Sequence, residues 1–345
     1  MSPRQFNSVM ALIRPKTAGQ EPGANPSKRP GKRGCSLRLP PQSRFPKPGR
    51  SGPGVAARWA TVFVPAALAG RSAVGAGWTE INLPVPGNLI VTQFVSAPFP
   101  HPARAAGHTY QGQFFSARDH YSDSTVAMFV PNGFHAAPPV DFVVHFHGWN
   151  NTVAGTLKQF AVLEQFAASG KNAVLIVPEG PQDAPDSFGG KLEDTNGFQI
   201  FMAEAMRTLC ANGVLTETNC RVGNIILSGH SGGYHVIAAI LDHGGLPQHI
   251  REVWLFDALY GGTRNFIAWQ KRTDGRLLDI YTDHGGTKAE TEKLMAFYRA
   301  GGVRFLPPGT RTPRRQTWAQ AAWFSYTATW PTTTLLRDGR RLKSF

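Results

Sequence analysis

An α/β fold, with a mostly parallel sheet flanked by helices on both faces, is the architecture that this 345-residue sequence predicts, and three observations carry it. Short apolar runs alternate with segments of helical period from Ser124 to Gly302. The runs are continuously apolar rather than alternating, as strands buried on both faces must be. Glycines cluster where a strand has to turn into a helix.

In order, "STVAMFVP" (124–131) and "VDFVVHFHG" (140–148) read as strands, being rich in β-branched and aromatic residues. "AGTLKQFAVLEQFAASG" (154–170) has a helical period, and "NAVLIVPEG" (172–180) is a buried strand. A helix "GFQIFMAEAMRTLCANG" (197–213), a strand "NIILSG" (224–229) and a helix "GGYHVIAAILDHGG" (232–245) follow. "REVWLFDALYG" (251–261) and "GRLLDIYTDHGG" (275–286) give two more strands, "TKAETEKLMAFYRAGG" (287–302) a helix, and "VRF" (303–305) opens one further strand. Right-handed crossovers bring the loops after these strands to one edge of the sheet, where functional residues are expected.

The formal net charge of +14 points to nucleic acid until its distribution is considered. Residues 1–58 carry 12 Lys and Arg against one acid, Glu21, and residues 303–345 carry 8 against Asp338. Residues 59–302 keep 16 basic and 20 acidic side chains, a net of −4. Neither basic tail interleaves aromatics as a base-stacking platform does, so nucleic acid is not expected as a partner.

Residues 1–57 are a basic, Pro/Gly-rich extension with too few apolar groups to offset ordering entropy, and disorder is expected there. Residues 58–76, "RWATVFVPAALAGRSAVGA", have the layout of a signal peptide: Arg58, a short apolar run, then small residues. On that reading the true start lies near Val55 and the product is secreted or periplasmic; the alternative is a Pro-rich linker into the first strand. No run is long enough for stable insertion in a membrane. The α/β domain is assigned to 77–306, and 307–345 is an atypical tail. Cys210 and Cys220 flank a short loop, where either a bridge or two free thiols fits; Cys35 has no assigned role.

Gly229-His230-Ser231-Gly232-Gly233 fits G-x-S-x-G between a strand and a helix, the context in which small residues permit a strained turn that exposes a serine. A serine that merely caps the helix is the alternative. The second constellation, His145-Phe146-His147-Gly148-Trp149-Asn150, ends an earlier strand. Acyl transfer needs donors for a developing oxyanion, and backbone N–H groups of Gly232 and of the Gly148-Trp149 turn suit that role. His145 and His147 share a strand spacing that also fits a metal pair, but no third ligand is evident, so no metal or other cofactor is expected. His147, Asn150, His230 and Tyr260 are candidate walls of a substrate pocket. Trp149, Tyr234, Tyr260 and Trp269 fit either an acyl or aryl pocket or the core.

Through "HFHGWNN", "VLIVPEGP", "GHSGG" and "LFDALYGG", the stretch from Val140 to Val303 resembles the α/β-hydrolase superfamily, specifically secreted serine esterases related to polyhydroxyalkanoate depolymerases and feruloyl esterases. The resemblance implies Ser231 as nucleophile, an oxyanion hole from Gly232 and the Trp149 region, and a small-molecule or polymeric ester as substrate. It also implies an acid at the end of a later strand, where Asp257 and Asp283 both qualify, Asp257 being favoured.

The family's order places a histidine after the last strand. Here the last histidine is His284, one strand too early, and 285–345 contain none. His284 is then the base of a shortened sheet, or the base is absent, or the tail is frameshifted. Reading Trp323 to Thr334 from each codon's third base permits "VFLYGDLAHND", a buried strand followed by a loop with a histidine. The expected function is ester hydrolysis through an acyl-enzyme on Ser231. The alternatives are an amidase or acyltransferase using the same groups, or a catalytically inactive binding protein on a hydrolase scaffold.

Overall fold

A computed structural model of the chain describes residues 8–13, 85–273, 275–282, 285–302 and 305–306, with the backbone alone at 8–13 and 305–306. The strands are β1 Ser8–Ile13, β2 Gly87–Gln93, β3 His108–Tyr110, β4 Gln113–Phe115, β5 Thr125–Pro131, β6 Val140–Phe146, β7 Ala173–Pro178, β8 Val222–His230, β9 Ile250–Phe256, β10 Arg276–Thr282 and β11 Phe305–Leu306. The helices are α1 Ala117–His120, α2 Val153–Gln159, α3 Val162–Ala168, α4 Gly197–Ala211, α5 Tyr234–His243, α6 Thr263–Arg272 and α7 Lys288–Ala300.

Among the described residues nine strands form one sheet in the order β11-β1-β10-β9-β8-β6-β7-β5-β2, while β3 and β4 make a separate hairpin. The consecutive pairings from β10 through β9, β8 and β6 to β7 are all parallel. Only β1 and β5 run against the rest, each pairing antiparallel with both of its neighbours. This is the mostly parallel sheet of the α/β class.

Alternate residues of each strand enter different cores, as a period of two requires. Phe142 and Val144 of β6, Ile176 of β7 and Leu227 of β8 pack beneath α4, α5 and α6 with Phe198, Phe201, Ile237 and Phe266. Val143, Leu175 and Ile226 pack on the opposite face with Val153 and Leu157 of α2 and Phe166 of α3. After β6 the chain places β7 on one side and β8 on the other, so the sheet has a topological switch at β6. A crevice is expected outside the carboxyl ends of strands at such a point.

Three differences from the expected elements have physical causes. The helix expected over 154–170 is two helices, because Ala161 takes a left-handed φ of +47° between them. That break turns Phe160, Val162, Leu163 and Phe166 together onto the sheet. The segment from Phe94 to Asp123 has no periodic signal and folds as the β3–β4 hairpin, a 3₁₀ turn and α1, around a small core of Phe99, Phe115, Tyr121 and Ala184. Within the extension expected to be disordered, "SVMALI" forms β1, which pairs with β10 from Ser8 opposite Thr282 to Ile13 opposite Leu277. It is the apolar, β-prone run of that extension, and the edge of β10 is what it covers. The signal-peptide reading of 58–76 and the tail 307–345 lie outside the described residues.

Candidate functional site

Ser231 follows β8 and has a φ of +49°, a left-handed conformation that costs a non-glycine residue energy and is held by what surrounds it. The turn that holds it needs glycine two positions on: a Cβ at Gly233 would fall 2.7 Å from the Phe146 carbonyl oxygen. With no side chain there, the first turn before α5 packs against the end of β6. The opening N–H groups of a helix have no intrahelical partners, and those of Gly232 and Gly233 lie in this first turn.

The loop after β6 meets Ser231 from the side. A Cβ built on Gly148 would lie 2.7 Å from the Ser231 Cβ, and one built on Gly232 would lie 2.7 Å both from Trp149 Cδ1 and from Ser187 Oγ. The Trp149 indole Nε1–H donates to Ser187 Oγ at 2.7 Å, and the indole is 40% exposed. Tyr110 of β3 meets it edge-on at 5.2 Å, which brings the β3–β4 hairpin to the rim. Asn150 has a φ of +51° and its N–H donates to the Ala184 carbonyl at 3.0 Å, so this loop is bound to the one after β7.

His147 does not line a pocket. Its side chain is 2% exposed, and its ring lies under the Gly148 loop, with Nδ1 2.8 Å from the Gly148 carbonyl and Nε2 3.0 Å from Glu179 Oε1. Nε2 is also 2.9 Å from the Gly180 amide, and it cannot serve both partners, since it accepts from an amide only when unprotonated. Burial lowers the His147 pKa, but the Glu179 carboxylate outweighs it and the net shift is upward. Glu179 also accepts from the Val153 N–H at the start of α2, at 3.0 Å to Oε2. Glu179 thus ties the end of β7, His147 and the start of α2 together. The sequence offered one signal for it: a carboxylate directly after a wholly apolar strand.

His230 also turns inward. Its ring packs on Phe160 at 5.0 Å, its Nδ1 has no hydrogen-bond partner among the described residues, and burial lowers its pKa to about 4. His145 faces Ser228 Oγ at 2.9 Å, and burial holds it neutral, with a pKa of about 3. His235 pairs with Glu193 at 2.7 Å. Among the described residues no cluster of His, Cys, Asp or Glu could hold a metal ion. Trp269, 1% exposed, belongs to the core.

Beyond β9 stands Tyr260, 46% exposed. Burial raises its pKa first and the Asp257 charge second, so it is a neutral phenol at ordinary pH. Asp257 follows β9 with a φ of +45°, its N–H bonded to the Ile280 carbonyl of β10 at 2.6 Å. Its carboxylate accepts from Thr287 Oγ1 and, at 3.5 Å, from Thr282 Oγ1, and burial raises its pKa. A Cβ on Gly285 would lie 2.7 Å from Asp257 Oδ1, and one on Gly286 would lie 2.8 Å from the Tyr260 ring. Asp283 and His284 themselves lie outside the described residues.

No protein-family model matches the sequence. No curated protein matches it either. Among solved structures, the acetyl xylan esterase from Aspergillus awamori aligns at 14% identity and a TM-score of 0.30, over 49% of this chain and 51% of that one. An S-formylglutathione hydrolase from Agrobacterium tumefaciens aligns at 13% and 0.32, over 52% and 61%. The feruloyl esterase module from Clostridium thermocellum, complexed with sinapinate, aligns at 8% and 0.34, over 55% and 62%. The chain thus spans half to three fifths of the length of these structures, and at such scores the likeness bears on neither substrate nor mechanism. Among the described residues no helix is long and apolar enough to cross a membrane.

Proposed function

We propose that the chain is a serine hydrolase that cleaves an ester through an acyl-enzyme on Ser231. One observation carries the reading: a serine at a φ of +49°, on a strand-to-helix turn at the carboxyl end of the sheet, beside the sheet's topological switch. A strained turn of this kind presents a hydroxyl to substrate rather than burying it in a cap.

In this reading Ser231 Oγ attacks the ester carbonyl, and the amides of Gly232 and the Gly148-Trp149 turn receive the oxyanion. A histidine takes the serine proton and returns it to the leaving alcohol, and water then frees the acid by the same route in reverse. Asp257 orients that histidine, a role favoured over Asp283 by its place beside Gly285 and Tyr260. The base is His284 in the chain as written, since it directly precedes Gly285, or a histidine restored downstream by a corrected reading frame. Asn150 and Tyr260 stand on the exposed rim and bound the substrate. No cofactor takes part. An amidase or acyltransferase using the same groups differs only in the leaving group or the acceptor, and a secreted or periplasmic site of action suits the signal-peptide reading.

The test is reaction with a fluorophosphonate probe. Labelling of the folded chain that Ser231→Ala abolishes supports the enzyme. A folded chain that takes no label is a binding protein on a hydrolase scaffold.

A further inference from the structure

Cys210 lies in the last turn of α4 and Cys220 precedes β8, the strand that leads to Ser231, and neither takes part in the chemistry proposed above. Their Sγ atoms lie 3.1 Å apart, both thiols half-buried. The intervening loop turns back on itself through bonds from the Val214 and Leu215 amides to the Leu209 carbonyl, and from the Asn219 amide to the Thr216 carbonyl. The Asn219 side chain ties it further to the Ala136 carbonyl at 2.7 Å. The backbone therefore holds the two thiols in contact without needing a bond between them.

We propose that Cys210 and Cys220 are a disulfide site, closed when the chain meets a disulfide carrier such as glutathione disulfide or an oxidised dithiol oxidoreductase. One cysteine, as thiolate, attacks a carrier sulfur, forming a mixed disulfide and expelling the carrier's other thiolate. The second cysteine attacks the protein-side sulfur, forming the Sγ–Sγ bond and releasing the carrier's remaining sulfur as a thiolate. Two electrons pass to the carrier, and its two sulfurs take up the two protons that the cysteines lose. Burial, and then the neighbouring Cys220, push the Cys210 thiol up to about 11, so at neutral pH a carrier is needed where air oxidation is slow. The bond pins the end of α4 to the start of β8, and it belongs to an oxidising compartment.

The geometry makes a quantitative demand. A fold that already holds the thiols together must favour the bridge over the unfolded chain by roughly a hundredfold in effective concentration. The experiment equilibrates the full-length protein, folded or in urea, in a glutathione buffer of secretory poise, then blocks free thiols and digests with trypsin. Cleavage after Arg207 and Arg221 releases one peptide holding both cysteines, while Cys35 on another peptide reports on blocking. The expected result is a folded-state peptide lighter by two hydrogens and resistant to alkylation, with far less of it from urea. Both cysteines alkylated in the folded state, or equal bridging in the two states, would overturn the proposal. The readout is independent of catalysis, so a chain that is bridged but takes no fluorophosphonate refutes the enzyme and leaves the disulfide standing.

Discussion

The two sides of Ser231 are built differently. On the β6–β8 side, Ser231, Gly232, Trp149, Ser187, His147 and Glu179 form one tied network, drawn from loops after adjacent strands. On the β9–β10 side, the Asp257 carboxylate is held by threonines and stands beside a loop whose histidine closes the sequence's supply of bases. The first side depends on glycines and short loops whose neighbours are fixed by the parallel core. The second depends on the end of the chain, where β1 rather than β11 pairs with β10. The Ser231 turn can therefore be braced on every side while the Asp257 side hangs on one loop.

The largest expected effect is at Ser231. Ser231→Ala should lower ester hydrolysis by roughly 10⁴-fold or more, with the fold intact by circular dichroism. His284→Ala sharpens the comparison, because an equally deep loss assigns the base to the loop after β10. Full activity in that variant moves the base into the tail, and resequencing codons 295–345 then has to reveal the lost frame.

Glu179→Gln attacks the built side from beneath. It removes the carboxylate that faces the buried His147 ring and caps the start of α2, at a cost of about 3 kcal/mol in urea denaturation. The displaced loop should lower kcat by roughly ten- to a hundredfold. An unchanged kcat would mean that the pair braces the fold and not the oxyanion donors.

Asp279 tests the other side. It is fully buried on β10, accepts from Thr291 Oγ1 at 2.7 Å through Oδ2, and has no partner for Oδ1 among the described residues. Burial raises its pKa to about 7. The folded state therefore holds this proton where the unfolded chain releases it, so the contribution of Asp279 to stability is present below pH 4 and is lost as pH rises toward 7. Asp279→Asn should then raise stability at pH 8 by on the order of 2 kcal/mol and change it little at pH 4. A pH-independent difference in melting temperature refutes the buried neutral carboxyl. The smallest effect is expected for Trp149→Phe, which deletes one half-exposed hydrogen bond to Ser187, worth about 1 kcal/mol, and should lower kcat about fivefold at most.

The parallel core was legible because its signals are local and redundant. The run "NAVLIVPEG" has no reading other than a buried strand, and the glycines around Ser231 announce a close-packed turn. His147 was not legible. Its spacing from His145 suggests a shared face, but it lies beyond the end of β6, where the chain has turned and strand alternation no longer applies. Ser187 gave no signal at all, since it lies in a loop whose course depends on Arg104 anchoring Asp186 at 2.7 Å from a distant segment.

By itself the sequence determined the layered α/β architecture, the position of the Ser231 turn and the lack of histidine in 285–345, since hydrophobic period, glycine spacing and residue type act within a few residues of each other. The tertiary structure alone decided which histidines face inward, that Glu179 and Ser187 join the site, and that Cys210 meets Cys220. Those outcomes depend on which loops the sheet order brings side by side, and a strand order is set by long-range packing that no short stretch of chain encodes.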